Sequence, residues 1–207
     1  MTEQSTAQPH QQAQPPQHAP QAQAKYQVRF DWGTGGARAI GQDADIVVWV
    51  DVLAPADAGE YLAIQELLAT LPASTAVVAG GLTTASVVAA WILDEQVRIG
   101  RRAMVSIVAA GSPTSGDQRR FAVEDQLGAG AVIDALAAVG IDYASPEAAV
   151  ACAAFTGLRG AVAHLLTASV SGQEQIAAGR TPAEIAPYGR VDTESSVNVL
   201  RGGTPSE

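Results

Sequence analysis

Apolar and polar residues alternate along the chain in two periods, which predict strands and helices in turn after residue 25. The segment YQVRFDW (26–32) alternates residue by residue, as a half-exposed strand does. Three later runs are continuous and rich in β-branched residues, which is typical of strands covered on both faces: ADIVVWVDVL, STAVVAGG and RAMVSIVAAG. A short final run, VNVL, predicts an edge strand.

Segments with the 3.6-residue period of helices separate and follow these strands. The first two predicted helices are GEYLAIQELLATL, with Leu62, Leu67 and Leu68 on one side, and TTASVVAAWILDEQ, capped by Thr83 or Thr84. The next two are AVEDQLGAGAVIDALAAVG, which ends at Gly140, and EAAVACAAFTGLRGAVAHLLTAS, which Ser145 and Pro146 start. The capping boxes Ser171–Glu174 and Thr181–Glu184 predict two further short helices. The stretch GTGGARAIGQ predicts a glycine-rich turn with one helical turn. Strands that alternate with helices predict a single α/β domain over residues 25–203, a three-layer sandwich around a largely parallel or mixed sheet.

The first 24 residues have a different composition from the rest of the chain. They contain eight Gln and four Pro, and no Phe, Leu, Ile or Val. Such a segment cannot bury enough apolar surface to offset the entropy of ordering it, so we predict a disordered tail. Its two histidines, His10 and His18, do not by themselves indicate a metal site.

Charge and cysteine content exclude several classes of function. A formal net charge of −9 and a pI near 4.7 argue against a nucleic-acid surface, although a few converging arginines could still bind a small anion. Cys152 is the only cysteine and lies among alanines, which is typical of a buried, inert thiol rather than a nucleophile, and it excludes an internal disulfide. No stretch approaches 18 uninterrupted apolar residues and no signal peptide is evident, so we predict a cytoplasmic protein without membrane association.

Candidate chemistry lies where the predicted strands end, because ligands of open α/β sheets bind beyond the carboxyl ends of the strands. Asp51 closes one buried strand, and Gly80 and Gly81 separate another strand from a helix. After the third buried strand, five of the nine residues 117–125 are ionisable, and the cluster ends in Glu124 and Asp125 at a helix start.

A purely structural interpretation competes with the functional one. Acidic residues are common in the first turn of a helix, because the helix dipole favours them there. Arg119 or Arg120 could simply pair with Glu124 on a solvated surface. Likewise, DWGTGG (31–36) is more typical of a tight turn than of a phosphate cradle, and His164 of a core or rim histidine than of a base. Residue types and spacing alone do not name a reaction.

A family resemblance adds to this interpretation. The segments FDWGTGGARAI, ADIVVWVDVL, VVAGGLTTASVVAAWIL, VSIVAAG, FAVEDQLGAGAVIDAL, SPEAAVACAAF and SVSGQEQIAAG, in order from about Val28 to Leu200, resemble the 2-phosphosulfolactate phosphatase family. The resemblance implies a magnesium-dependent hydrolase that removes phosphate from a small phosphorylated acid such as 2-phosphosulfolactate, on the route to coenzyme M. It also implies a homodimer, which would cover surface that a shortened α/β domain exposes.

The resemblance assigns roles to particular residues of this chain. Asp51 and Asp125 would bind Mg²⁺, and Glu124 would join them as a catalytic residue that helps to place water. From their place in the chain rather than from the resemblance, the residues expected to bind the anionic substrate are Arg119, Arg120, Gly80, Gly81 and Gly111. A guanidinium fork fits either a phosphate or a sulfonate group.

The chain also departs from the family pattern. Val52 and Leu53 lead into APADAGE, where relatives carry a Thr-rich segment, and the strand leading to an Asn-Gly turn is absent. Thr83 and Thr84 stand where an Arg-Asn pair is usual. These differences leave a second hypothesis open, in which the chain is a catalytically degenerate relative that acts as a small-anion binding or interaction protein.

Overall fold

A five-stranded sheet organises the computed structural model, which describes residues 19–54, 58–114 and 116–203. Its strands are β1 (Val28–Trp32), β2 (Ile46–Val50), β3 (Ala76–Ala79), β4 (Val105–Ala109) and β7 (Asn198–Arg201). They lie in the order β1-β4-β2-β3-β7, with the first four parallel and β7 antiparallel to β3. The prediction of an α/β sandwich with a largely parallel sheet is therefore confirmed.

Helices cover both faces of the sheet. They are α1 (Gly33–Ile40), α2 (Ala58–Thr70), α3 (Ala85–Ile99), α4 (Val123–Ala138), α5 (Pro146–Leu158), α6 (Val162–Ala168), α7 (Val170–Ala177) and α8 (Pro182–Ile185). Helices α1 and α2 pack on one face, and α3 to α6 with α8 pack on the other. A hairpin, β5 (Ser112–Thr114) and β6 (Gly116–Arg120), lies between β4 and α4.

The continuous apolar runs follow from this layering. Every residue of β2 is buried, and its alternate side chains enter different cores. Val48 and Val50 belong to the α3–α6 side, whereas Val47 and Trp49 belong to the α1–α2 side. Because successive side chains of a strand point to opposite faces, only a sequence that is apolar throughout can sit at this position.

Two helices differ from the sequence-based expectation. Helix α1 has 8 residues rather than one turn, because Ala37 and Ile40 on its inner side are fully buried against the sheet. In α2, the buried side chains are Ala63 and Leu67, which Leu71 continues just after the helix, and Leu62 is 64% exposed. The prediction that Leu62 shares the side of Leu67 was wrong, because residues five apart lie on different sides of a helix of 3.6 residues per turn.

The predicted long helix after Ser145 is interrupted. A 3₁₀ turn, Arg159–Ala161, separates α5 from α6, and α7 begins again at Val170. By length and composition alone, the helical run Pro146–Ala177 of 32 residues could cross a membrane, and 22% of its most apolar window is buried. The expectation that the protein does not associate with membranes stays a prediction.

Helix caps are partly local and partly remote. Ser145 caps α5 by accepting from the N–H of Ala148, and the capping box of Thr181 and Glu184 opens α8, both as predicted. The cap of α7 is Ser169, not Ser171, so the predicted box of Ser171 with Glu174 was wrong.

Helix α3 is capped from a distant part of the chain. The side chain of Thr84 does not cap it. Instead, Asp192 accepts from the backbone N–H of Ser86 at 2.7 Å and from its hydroxyl at 2.6 Å. The C-terminal segment is thereby attached to the start of α3.

The N-terminal side of the domain begins before residue 25. Pro20–Ala22 form a 3₁₀ turn, and the side chain of Gln23 pairs with the backbone of Phe30 through both its amide nitrogen, at 2.8 Å, and its oxygen, at 3.1 Å. Residues 19–24 of the predicted tail therefore have a defined conformation, and residues 1–18, including His10 and His18, lie outside the described part of the chain.

Candidate site at the ends of strands β2 and β4

The ends of β2 and β4 lie side by side in the middle of the sheet, and we call the region beyond them the β2–β4 crevice. These strands are neighbours, but the chain leaves them toward opposite faces: β2 leads to α2, and β4 leads through the hairpin to α4. Such a point, where neighbouring connections diverge, is the usual ligand site of an open α/β sheet.

Asp125 occupies this crevice from the first turn of α4. Its Oδ1 accepts from the N–H of Val52 at 2.8 Å, and its Oδ2 accepts from the N–H of Gly111 at 2.9 Å. Val52 follows β2 and Gly111 follows β4, so one carboxyl group connects the exits of the two central strands.

Glycines allow α4 to approach the strands this closely. A Cβ atom at Gly128 would lie 2.8 Å from Cγ1 of Val50 and 2.7 Å from Cγ2 of Val52. Gly111 has a φ of 67°, which favours glycine, and a Cβ there would lie 2.9 Å from the carbonyl oxygen of Arg120. Close packing over the strand ends therefore explains Gly128 of α4.

Asp125 is buried beside another negative charge. It is 2% exposed. Burial raises the pKa of Asp125 well above its ordinary value, and the neighbouring charge of Asp51 raises it further, whereas the hydrogen bond from Val52 acts in the opposite direction. The structure thus brings Asp51 and Asp125 together as an interacting pair, with Asp51 half-buried.

Glu124 lies next to this pair but does not complete a metal site with it. It is also 2% exposed, and its charge contributes to the raised pKa of Asp125. Among the residues that the structure describes, no three Asp, Glu, His or Cys side chains converge in a way that could hold a metal ion.

The two arginines of the cluster point to different neighbours. Nη1 of Arg119 donates to the carbonyl oxygen of Gly111 at 3.2 Å. Arg119 and Asp125 therefore bind the two backbone polar groups of the same residue. Arg119 is exposed. Nη2 of Arg120 lies 3.7 Å from a carboxylate oxygen of Glu174 on α7, so the predicted pairing partner, Glu124, is not the partner observed.

The predicted glycine cradle uses its N–H groups within the chain. Gly80 donates to the carbonyl oxygen of Trp49 at 2.9 Å, and Gly81 donates to the hydroxyl of Thr84 at 3.1 Å. A Cβ atom at Gly80 would lie 2.5 Å from Cγ1 of Val48, so packing alone explains this glycine. The role of Gly80 and Gly81 in substrate binding stays a prediction.

Residues of α7 contact the segments that follow β2 and β4, and sequence analysis did not identify them. The hydroxyls of Ser112 and Ser171 lie 2.8 Å apart. Nε2 of Gln175 donates to the carbonyl oxygen of Leu53 at 2.9 Å. These contacts join segments more than 50 residues apart, and only the polar residues of SVSGQEQ hinted at them.

The donor set at the crevice fits Mg²⁺ with two carboxylate ligands from the protein. Mg²⁺ prefers oxygen ligands and is commonly held by one or two carboxylates, with water and substrate phosphate completing its shell. Asp51 and Asp125 supply two carboxylates from two elements, and a cation would relieve the repulsion that raises the pKa of Asp125. Both oxygens of Asp125 already accept a backbone N–H, which leaves one lone pair on each for a metal.

Comparison with known proteins does not name the chain's family. No family model matches the sequence, and no curated protein matches it either. The resemblance to 2-phosphosulfolactate phosphatases therefore rests on the sequence segments quoted above. What it implies about activity, metal and substrate enters below as a proposal.

Proposed function

We propose that the protein is a Mg²⁺-dependent phosphatase that hydrolyses a small phosphorylated acid such as 2-phosphosulfolactate. The observation that carries the proposal is the interacting pair of Asp51 and Asp125 in the crevice between β2 and β4, with Arg119 beside it. The family resemblance supplies the reaction class, and the pair lies where an α/β sheet binds its ligands.

Each group has a distinct role in this proposal. Asp51 and Asp125 hold the cation, which when bound neutralises charge on the phosphoryl oxygens. Arg119, exposed beside Gly111, binds a phosphate or sulfonate oxygen through its guanidinium group. Gly111 links the two functions, because its N–H fixes Asp125 and its carbonyl oxygen fixes Arg119. Glu124 helps to orient the attacking water.

A second candidate function is anion binding without turnover. It is favoured by the sealed position of Asp125, which is 2% exposed and bound to backbone N–H groups through both oxygens. In that case the carboxyl group would serve to connect the strand exits. Arg119 would still be exposed for a small anion.

Phosphate release separates the two candidates. The full-length protein would be incubated with a panel of small phosphate esters, including 2-phosphosulfolactate, in Mg²⁺ and in EDTA. We expect release only with Mg²⁺, and at least a hundredfold slower release by Asp51→Asn and Asp125→Asn. Asp142→Asn, an exposed aspartate away from the crevice, is the matched control and should behave like the wild type.

Thermal stability gives a readout that does not depend on the substrate. If Mg²⁺ binds the native pair, the melting temperature should rise with ln(1 + [Mg²⁺]/Kd) in the wild type and in Asp142→Asn, but not in Asp51→Asn. Absence of both turnover and a Mg²⁺-dependent rise would contradict the phosphatase. A rise in melting temperature with a phosphorylated acid, without release of phosphate, would establish the binding protein instead.

A further inference from the structure

A second concave surface lies along the free edge of β1, on the face of the sheet that α5 covers. Phe30 and Trp32 are two residues apart in β1, so their side chains point to this same face. Here the strand borders a cleft of about 400 Å³, which we call the β1-edge cleft. Its walls include Pro146 and Val150 of α5 and Gln126 of α4. The proposed phosphatase site does not use it.

The walls of the cleft are mainly apolar and aromatic. The rings of Phe30 and Trp32 meet edge to face, with centroids 5.7 Å apart. Phe121, which is 59% exposed, extends this surface, since its ring centroid lies 5.2 Å from that of Trp32. On the α5 side, Val150 is 66% exposed. A concave surface of exposed aromatic and aliphatic side chains is typical of an interaction site.

The polar groups of the cleft include donors that are free for a ligand. The amide of Gln126 and the indole N–H of Trp32 form no hydrogen bond with the residues that the structure describes. The side chain of Asp31 lies against Gly36 of α1, on the other face of β1. Glu147 is therefore the charged side chain among the residues that line the cleft.

The N-terminal tail has a composition that suits such walls. Residues 4–18 read QSTAQPHQQAQPPQH, without any acidic residue and without a large apolar side chain other than proline. The adjacent prolines Pro15 and Pro16 favour the polyproline II conformation, which has no internal backbone hydrogen bonds. Segments of this kind bind aromatic-lined grooves, because proline rings pack on the aromatic side chains and the free carbonyl groups accept from donors in the groove.

The described chain begins close to the cleft. The side chain of Gln23 pairs with the backbone of Phe30, whose ring lines the cleft. The 3₁₀ turn Pro20–Ala22 lies beside α1, so the tail would pass over the edge of β1 to reach the other face. In polyproline II each residue spans about 3.1 Å, so the eleven residues 8–18 extend over about 30 Å, enough for this path. A tether this short gives an effective concentration in the millimolar range, so a weak contact is sufficient.

We propose that the N-terminal tail of the same chain binds in the β1-edge cleft through Pro15 and Pro16. The proline rings pack between Trp32 and Val150, and Trp32 and Gln126 donate to carbonyl groups of the tail. The lack of acidic residues in positions 4–18 avoids repulsion by the carboxylate in the cleft wall. No residue of the Asp51–Asp125 pair takes part, so this proposal is independent of the phosphatase.

A spin label in the tail measures whether the tail occupies the cleft. The full-length protein would carry Ala13→Cys in a Cys152→Ala background, with a nitroxide on the single thiol. Nuclear magnetic resonance would compare the paramagnetic broadening at the indole N–H of Trp32 and the methyl groups of Val150 with that at Val199 on β7, the opposite edge of the sheet. We expect at least fivefold stronger broadening at Trp32 and Val150 than at Val199. Equal broadening at all three, or none, would overturn the proposal.

Variants separate specific binding from mere tethering. Pro15→Ala/Pro16→Ala keeps the tether and the label, and should reduce the broadening at Trp32 at least threefold, whereas the control Pro9→Ala should leave it unchanged. In the cleft wall, Val150→Arg changes an exposed side chain, so folding is preserved and the broadening at Trp32 should fall to the same extent. Val97→Arg, at a position 72% exposed on α3, is the matched control. Broadening that survives both Pro15→Ala/Pro16→Ala and Val150→Arg would refute the assigned contact.

A mixed sample distinguishes the chain's own tail from that of a second copy. Spin-labelled protein without isotopes would be mixed with isotope-labelled protein without a spin label, so that only contacts between molecules cause broadening. We expect none at Trp32 in the mixture, and unchanged broadening when the doubly labelled protein is diluted tenfold. Broadening in the mixture that equals that of the doubly labelled protein would show that a second copy supplies the tail, and would overturn the proposal.

Discussion

The substitution Gly130→Ala should test how closely α4 packs on α5. A Cβ atom at Gly130 would overlap the carbonyl oxygen of Ala151 and lie 2.7 Å from Cβ of Phe155, closer than real Cβ contacts. Neither neighbour can turn away, because one is backbone and the other is the first side-chain atom of a buried Phe. Helix α5 would have to move outward, and overpacking of this kind costs about 1–3 kcal/mol in free energy of unfolding.

Gly157→Ala is the matched control on α5. Nothing lies within 4 Å of a Cβ atom at Gly157. Replacing a helical glycine by alanine at such a site stabilises a protein by about 0.4–1 kcal/mol. The two variants carry the same chemical change and should therefore move the free energy of unfolding in opposite directions.

Urea denaturation followed by far-UV circular dichroism measures this difference. We expect the midpoint to fall for Gly130→Ala and to rise for Gly157→Ala, with similar slopes in both. Equal midpoints would refute the close approach of α4 and α5. Since α4 also carries Asp125, the phosphatase assay on Gly130→Ala should show a loss of activity that Gly157→Ala does not share.

Three further outcomes are expected. Burial and the charge of Asp51 raise the pKa of Asp125 in the folded state. The contribution of Asp125 to stability is therefore complete below the unfolded pKa of about 3.9 and is lost as pH rises through the folded pKa. The unfolding free energy of the wild type relative to Asp125→Asn should fall from pH 4 toward neutrality, and a constant difference would contradict the raised pKa. Arg119→Ala should raise KM for a phosphate ester more than it lowers kcat. Arg120→Ala, which loses a contact with Glu174, should change KM little. Steady-state kinetics measure both values, and a larger rise in KM for Arg120→Ala than for Arg119→Ala would contradict the assignment. Asp192→Ala should lower the free energy of unfolding by about 1 kcal/mol because α3 loses its cap, and Thr84→Ala should cost less in the same urea titration.

The parts of the fold that could be predicted are those in which neighbouring residues carry the signal. β2 is apolar throughout because it is covered on both faces, and Ser145 and the pair Thr181–Glu184 begin helices through contacts three residues apart. The hairpin of β5 and β6 lacks such a signal, because GSPTSGDQRR is polar and does not alternate. Nothing local to Thr84 indicates that Asp192, 106 residues beyond Ser86, caps α3.

The residues assigned to the candidate site stay a prediction, and the geometry around them could not be inferred from the sequence. Asp51 follows a strand and Asp125 begins a helix, which suggested a meeting point beyond the sheet, and the raised pKa of Asp125 is consistent with one. The insertion of β4 between β1 and β2, which brings the exits of β2 and β4 side by side, depends on pairings distant in the sequence. For the same reason, the attachment of Asp125 to Val52 and Gly111 could not be inferred from the order of the residues.

The pairing of Gln23 with Phe30 has a consequence for aggregation. An exposed strand edge can recruit a strand from another molecule, and the donor and acceptor of the Gln23 amide already occupy the positions that such a strand would use. A chain shortened to begin at Lys25 would lose the hydrogen bonds of the Gln23 side chain, and the backbone of Phe30 would then be open to intermolecular pairing. We therefore expect the shortened protein to form insoluble assemblies on storage more readily than a chain that begins at Ala19.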